Sequence, residues 1–181
     1  MENPAPGNSS ANRGPSAATA DSCGEFDIRI GRDGTWFYQG SPIQRLPLVK
    51  LFASVLRRDE GGDYLLVTPV ERGRIVVDDV PFIAVALSAE GAGRAQTLSF
   101  TTNLDEIVPA GPDHPLRVET APDGEPSPYI LVRPGLEARL ARPVFYELVD
   151  LAGDEQIDGE TQFGVWSGGM FFCLGDPGDE E

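Results

Sequence analysis

Two residues of this chain, His114 and Ser167, stand where a catalytic role can be weighed, and neither stands in a motif that completes one. His114, the only histidine, sits in Gly111-Pro112-Asp113-His114-Pro115. A carboxylate beside it could orient the ring for proton transfer, as a general base requires, but Asp113 as a sequence neighbour need not face it. The alternative is a turn residue held between prolines. A metal at this point would need partners such as Asp113 or Glu119, and no ligand spacing supports one. Ser167 lies in Val165-Trp166-Ser167-Gly168-Gly169. A nucleophile elbow needs glycine two residues before the serine, and Val165 is there, so this reads as a tight hairpin.

A third group could bind rather than react. Arg117, Arg133 and Arg139 fall on or beside strand candidates, and Trp36, Tyr38 and Trp166 supply flat rings. Guanidinium groups take phosphate oxygens in pairs while an aromatic face stacks on a base. With His114 these six make the candidate ligand set. The bland reading is that the arginines are solvated or paired with carboxylates, that Trp36 and Tyr38 pack a hairpin, and that Arg142 is a surface residue at a helix start. The chain has no Walker A sequence and no G-x-G-x-x-G. Its glycine run Glu90-Gly91-Ala92-Gly93-Arg94 links two strand candidates rather than opening a helix. No cofactor or metal is signalled.

Elements able to position these groups follow from apolar spacing. Phe26, Ile28 and Ile30 alternate with Asp27 and Arg29, the pattern of a half-buried strand. Gly31–Gly34 turns the chain, and Trp36 and Tyr38 resume the alternation, a hairpin signal. From Arg45 to Arg58 the period becomes helical, with Leu48, Val49, Phe52, Val55 and Leu56 on one stripe, Pro47 in the first turn and Gly61-Gly62 at the exit. Arg57 and Arg58 would then complement the helix C-terminus. Strands are expected at 64–67, 74–77, 80–87, 97–102, 116–120, 129–132, 162–166 and 170–174. A polar loop is expected through Asp105 to Pro115 and a second helix from Pro143 to Ala152.

Residues 64–75 align without a gap on residues 129–140, Tyr-Leu-Leu-Val-Thr-Pro against Tyr-Ile-Leu-Val-Arg-Pro at the start. Five of twelve positions are identical. If the body is a duplicated unit, each copy contributes such a strand and one helix, and copies too small to bury a core alone pack on each other. Clefts between such halves are favoured places for small ligands. The fold class expected is α+β, two related strand-rich units with one helix each, spanning 23–88 and 89–175. Residues 1–22, rich in Pro, Ser, Ala and Gly, are expected to be a disordered tail, and 176–181 an acidic one.

Composition narrows the partners. The net charge is −15, and residues 150–181 hold nine carboxylates with no Lys or Arg. Such a surface repels phosphate backbones at long range, which disfavours nucleic-acid polymers. No run is long and apolar enough for a membrane span, and the N-terminus has neither the basic nor the apolar part of a secretory signal. Cys23 and Cys173, without metal or CxxC spacing, suit a reduced cytoplasmic protein.

Taken together, DGTWFYQGSPI, LPLVKLFASVLRR, YLLVTPVE, SFTTN with AGPDHPLRV, RPVFYELVDLA and GVWSGGMFFCLG resemble the bacterial domain-of-unknown-function family 1285 over about residues 23–175. The resemblance implies a domain duplication, a C-terminal unit like a pleckstrin-homology fold, a nucleotide-like ligand at the interface of the units and a part in signal transduction. The acidic tail lies outside the family pattern. The leading expectation is therefore a small-ligand-binding or regulatory module. The alternatives are a protein–protein adaptor and, last, a hydrolase-type enzyme using His114.

Overall fold

The computed structural model describes residues 23–175, so the two expected tails lie outside the described residues. The first unit runs β1 (Gly24–Ile30), β2 (Trp36–Tyr38), β3 (Ser41–Pro42), α1 (Leu46–Ser54), β4 (Leu56–Arg58), β5 (Tyr64–Val67) and β6 (Arg72–Val77). The second runs β7 (Phe82–Glu90), β8 (Thr97–Thr102), β9 (Ile107–Pro109), β10 (Leu116–Thr120), β11 (Pro126–Arg133), β12 (Leu136–Leu140) and α2 (Arg142–Asp150). It closes with β13 (Gly153–Ile157), β14 (Glu160–Ser167) and β15 (Met170–Gly175). Each strand-rich unit carries one α-helix.

The two large sheets are built to one plan. The first has the order β3-β2-β1-β6-β5-β4 and the second β9-β8-β7-β12-β11-β10. In each, the first and last strands of the unit run parallel (β1 with β6, β7 with β12) while the neighbours pair antiparallel. The sequence repeat falls on β5–β6 and β11–β12, equivalent hairpins. The helices are not equivalent: α1 joins the third and fourth strands of its unit, whereas α2 follows β12 and leads into a third sheet, β13-β14-β15.

Helix α1 is shorter than its sequence period suggests. It stops at Ser54 because Leu56, fully buried, pairs with Leu66 of β5. Ladder bonds and burial outweigh one more turn of a short helix. Arg57 and Arg58 therefore lie on a strand rather than in the last helical turn. Arg57 still serves the helix end, its Nη1 donating to the Ser54 and Leu56 carbonyls at 3.2 and 2.7 Å. The stretch expected to be a polar loop contains β9, since Ile107 and Val108 pair with Thr101 and Phe100.

One difference between the repeats decides where side chains point. In the first unit Leu66 pairs with Gly73 and faces the main core, while Leu65, also buried, pairs with Arg74 on the opposite face of the sheet. In the second the ladder slips by one residue between Leu131 and Arg133. A slip of one exchanges the faces of every residue beyond it. Ile130 and Val132 thus enter the core, and Tyr129 turns to the outer face opposite Arg139.

A single apolar cluster runs through both units, from Ile30, Trp36 and Leu56 to Phe82, Phe100, Leu136 and Leu148. The third sheet is fastened to it by Ser167. This residue is fully buried, accepts from the Leu98 amide at 2.8 Å and donates to the Ala110 carbonyl at 2.7 Å. No helix among the described residues is long and apolar enough to cross a membrane.

Candidate functional site

The outer face of the second sheet presents a row of four side chains on adjacent strands. Arg117 of β10 stands opposite Tyr129 of β11, which faces Arg139 of β12, which faces Ile83 of β7. The Arg117 guanidinium lies 4.3 Å from the Tyr129 ring centre, a cation–π contact. The first unit meets this row residue by residue. Gly34, in the β1–β2 turn, abuts Ile83; the Arg32 carbonyl accepts from Arg139 Nη2 at 2.6 Å; Asp79, in the connection between units, accepts from the Tyr129 hydroxyl at 3.1 Å.

At one end of this seam a cleft of about 450 Å³ opens. Arg32 enters it from the first unit. Asp123, Glu125 and Ser127 come from the β10–β11 hairpin, Arg139 from β12, and Arg142, Phe145 and Tyr146 from α2. Local chemistry explains the placing. Arg142 and Pro143 begin α2, where proline tolerates its missing N–H; Val144 and Leu148 face the core, which leaves Tyr146 exposed. Arg142 is 2.8 Å from Glu125, and Arg139 Nε stands 3.5 Å from Asp79 without a hydrogen bond of good geometry. The Arg32 guanidinium has no side-chain partner among the described residues. Three arginines, two carboxylates and two rings thus converge on one concave surface. Such a surface can take phosphate oxygens, ligand hydroxyl or amino groups, and a flat ring.

The candidate residues read from the sequence are spread more widely. Arg139 lies in the cleft. Arg117 is bidentate on Glu137 at 2.7 and 2.9 Å and bonded to Glu119 at 2.9 Å; these carboxylates hold its guanidinium more firmly protonated than usual. Arg133 sits at a separate seam, donating to the Ala53 carbonyl of α1 at 3.0 Å with its head over Phe82. Trp36 is buried and stacked on Phe52, while Tyr38 is half exposed at the tip of β2. His114 is tied through Nδ1 to the Leu131 carbonyl at 2.9 Å, and among the described residues no carboxylate is hydrogen-bonded to it. Trp166 belongs to the third sheet, donating to Glu155 with Arg94 over its ring.

The sequence does not single out Arg32, Asp123, Glu125, Phe145 or Tyr146, and it offers Arg142 only as a surface residue at a helix start. Their signal was weak. Arg32 stands in a turn whose glycines explained it fully, and nothing in the chain order announces that it meets Arg139. Among the described residues no group of three His, Cys, Asp or Glu side chains is placed to hold a metal ion. Cys23 and Cys173 are free and exposed.

Burial and charge shift several groups around the seam. Burial raises the Tyr129 phenol above its ordinary value, with Asp79 adding to the effect. Tyr64 is raised for the same first reason, opposed by Arg58, whose guanidinium lies 5.0 Å from its ring centre. Asp78 is lowered by its hydrogen bonds from Arg29, and Glu155 by those from Arg94 and Trp166.

Comparison with known proteins agrees with this architecture. A domain of unknown function, the DUF1285 N-terminal domain, matches residues 18–80, and the C-terminal domain of the protein of unknown function DUF1285 matches residues 81–174. The two matches meet just ahead of β7. The crystal structure of a DUF1285 family protein from Silicibacter pomeroyi DSS-3 superposes with a TM-score of 0.78 at 47% identity, covering 91% of this chain and 90% of that one. A second, from Shewanella baltica OS155, gives a TM-score of 0.54 at 27% identity over 68% of this chain and 91% of that one. No curated protein matches the chain. With both halves matched in order and a solved relative at 47% identity, the chain belongs to the DUF1285 family.

Proposed function

We propose that the protein is a small-ligand-binding or regulatory module in signal transduction, taking a nucleotide-like phosphorylated ligand in the cleft between its two units. One observation carries the reading: Arg32 of one unit and Arg139 and Arg142 of the other converge on a cleft of about 450 Å³ walled by Phe145 and Tyr146. Guanidinium groups are the side chains best shaped for phosphate oxygens. Asp123 and Glu125 beside them suit ribose hydroxyl or base amino groups, and they leave the cleft near one net positive charge. That balance favours a ligand with few phosphates and a polar ring over a polyphosphate.

The ligand would touch both units, so its occupancy would bias their relative placement. A regulatory module requires such a dependence. The test is a thermal-shift and calorimetric screen of the full chain against inorganic phosphate, nucleoside monophosphates and cyclic nucleotides, since a ligand bound to the native state raises its stability by mass action. The expected result is a saturable rise in Tm that is lost in Arg32→Ala and in Arg142→Ala and kept in Arg94→Ala, which lies in the third sheet. No shift with any compound, or a shift indifferent to both cleft variants, would overturn the reading.

A further inference from the structure

The three sheets end in six edge strands, and five of them are blunted. Strand β3 has two residues, one of them Pro42; β9 has three and ends in Pro109; β4 has three and carries Arg57 and Arg58. Strands β10 and β15 pack against each other. Short length, proline and charged side chains are the usual guards of a sheet edge. Strand β13 has five residues, Gly153-Asp154-Glu155-Gln156-Ile157, with no proline and no cation; its charges, Asp154 and Glu155, repel an acidic strand but not a cationic one, and among the described residues it is hydrogen-bonded on one side only.

The hairpin that joins β13 to β14 determines which backbone groups face outward. Asp158 and Gly159 both have positive φ, 52° and 87°, so Ile157 and Glu160 close a two-residue turn of the primed type. The closing pair exchanges hydrogen bonds, and pairs alternate from there along the ladder. Glu155 and Gly153 therefore direct their N–H and C=O groups at β14. Asp154 and Gln156 direct theirs away from the sheet. The Gln156 side chain bonds to Thr161 across the ladder, as a non-hydrogen-bonded pair permits.

We infer that β13 is a strand-addition site for an extended, Lys- or Arg-bearing peptide segment of a partner protein. Charge chooses the occupant. The β13–β14 hairpin bears Asp154, Glu155, Asp158 and Glu160, and no Lys or Arg occurs from Pro143 to Glu181. Of the four carboxylates only Glu155 has a cationic partner among the described residues, Arg94 at 3.0 Å. Asp154 and Gln156 share one face of the strand, so cations at alternate positions of the incoming peptide would meet them. The other face carries the half-buried Ile157 and Glu155, whose charge is met by Arg94 and Trp166, and it suits apolar residues between those cations. Main-chain bonds to Asp154 and Gln156 supply the register and alternate side chains supply the selection. The site lies in the third sheet, on other residues than the inter-unit cleft, and holds whether or not that cleft takes a ligand.

The test titrates the full chain against a fluorescent acetyl-(Lys-Val)3-amide peptide, with a (Glu-Val)3 peptide as the opposite charge. The expected result is saturable binding of the Lys peptide alone, weakened by added salt, with hydrogen exchange at the Asp154 and Gln156 amides slowed at least tenfold on binding. Proline at position 156 removes an outward N–H and spares the ladder, so Gln156→Pro should weaken binding at least tenfold. Two peptides, N-methylated on every Lys or on every Val, test the same bond without altering the protein, since alternate residues of an added strand face the sheet. One should bind and the other lose tenfold or more. Equal binding of both methylated peptides, no protection at Asp154 and Gln156, or no binding of the Lys peptide would overturn the inference.

Discussion

Arg139 Nη2 donates to the carbonyl oxygen of Arg32 at 2.6 Å, a hydrogen bond spanning 107 positions of the chain and joining the two units. The same guanidinium faces Asp79, which also accepts from Tyr129. One side chain of the row on the second sheet thus bonds to the first unit's turn and lies 3.5 Å from the carboxylate in the connection between units. A charged donor on a main-chain acceptor contributes about 2 kcal/mol. Arg139→Ala should lower unfolding stability by about that amount, measured by urea denaturation. Arg139→Lys should recover only part of it, because an ammonium cannot reach the carbonyl and Asp79 together as a planar fork does. A stability equal to wild type in Arg139→Ala would show that the bond contributes nothing net.

Alkaline pH should loosen the same seam. Tyr129 has its folded pKa raised above the ordinary phenol value, so the native state keeps its proton after the unfolded state has lost it. The unfolded chain then binds fewer protons, and stability falls as pH rises above about 10. Asp78 works in the opposite direction. Its folded pKa is lowered, so its contribution is present above the ordinary carboxylate value and is lost as pH falls below about 4. Tyr129→Phe should make the alkaline limb of a Tm-against-pH curve shallower, the remainder belonging to Tyr64, and leave the acid limb in place. Asp78→Asn should do the reverse.

The seam was only partly legible in the sequence. Local patterns identified the Gly31–Gly34 turn, both helices and the Tyr64/Tyr129 repeat, because alternation and turn chemistry act over a few residues. They did not show that Tyr129 and Tyr64 face different ways. The two segments align without a gap, and the slip between Leu131 and Arg133 is a property of pairing, which no single strand carries. Arg32 and Arg139 were legible only as a turn residue and a strand residue. Their meeting depends on how one unit lies on the other. Strands β3 and β9 are two and three residues long, below the length at which alternation shows.

Gly34 occupies a point where both backbone and packing exclude a side chain. Its φ is +85°, and a Cβ there would stand 2.8 Å from the Asn103 side-chain nitrogen and 2.9 Å from Ile83 Cγ1. The left-handed conformation costs a non-glycine residue about 1–2 kcal/mol, and displacing Ile83 from the seam adds to that. Gly34→Ala should therefore destabilise the protein by about 2–4 kcal/mol, read from denaturant midpoints. Gly40 has a similar φ of +80° and open space around it. Gly40→Ala should cost only the backbone part, so the difference between the two variants isolates the contact between units.

Ser167 offers a separate test of what the Trp-Ser-Gly-Gly turn is for. With its side chain fully buried, accepting from Leu98 N and donating to Ala110 O, it has no approach for a substrate and both hydroxyl roles taken. Removing the oxygen leaves a buried amide and a buried carbonyl short of a partner, each worth about 1–3 kcal/mol. Ser167→Ala should destabilise the chain by about 2–6 kcal/mol and speed hydrogen exchange at Leu98, while Ser167→Cys, with a longer and weaker bond, should fall between. A nucleophilic serine would behave otherwise. It would react with a fluorophosphonate probe, and its alanine variant would be as stable as the parent. Labelling of native protein at Ser167 would refute the structural assignment; absence of label with a lowered denaturation midpoint would establish that the hydroxyl fastens the third sheet to β8 and the loop before His114.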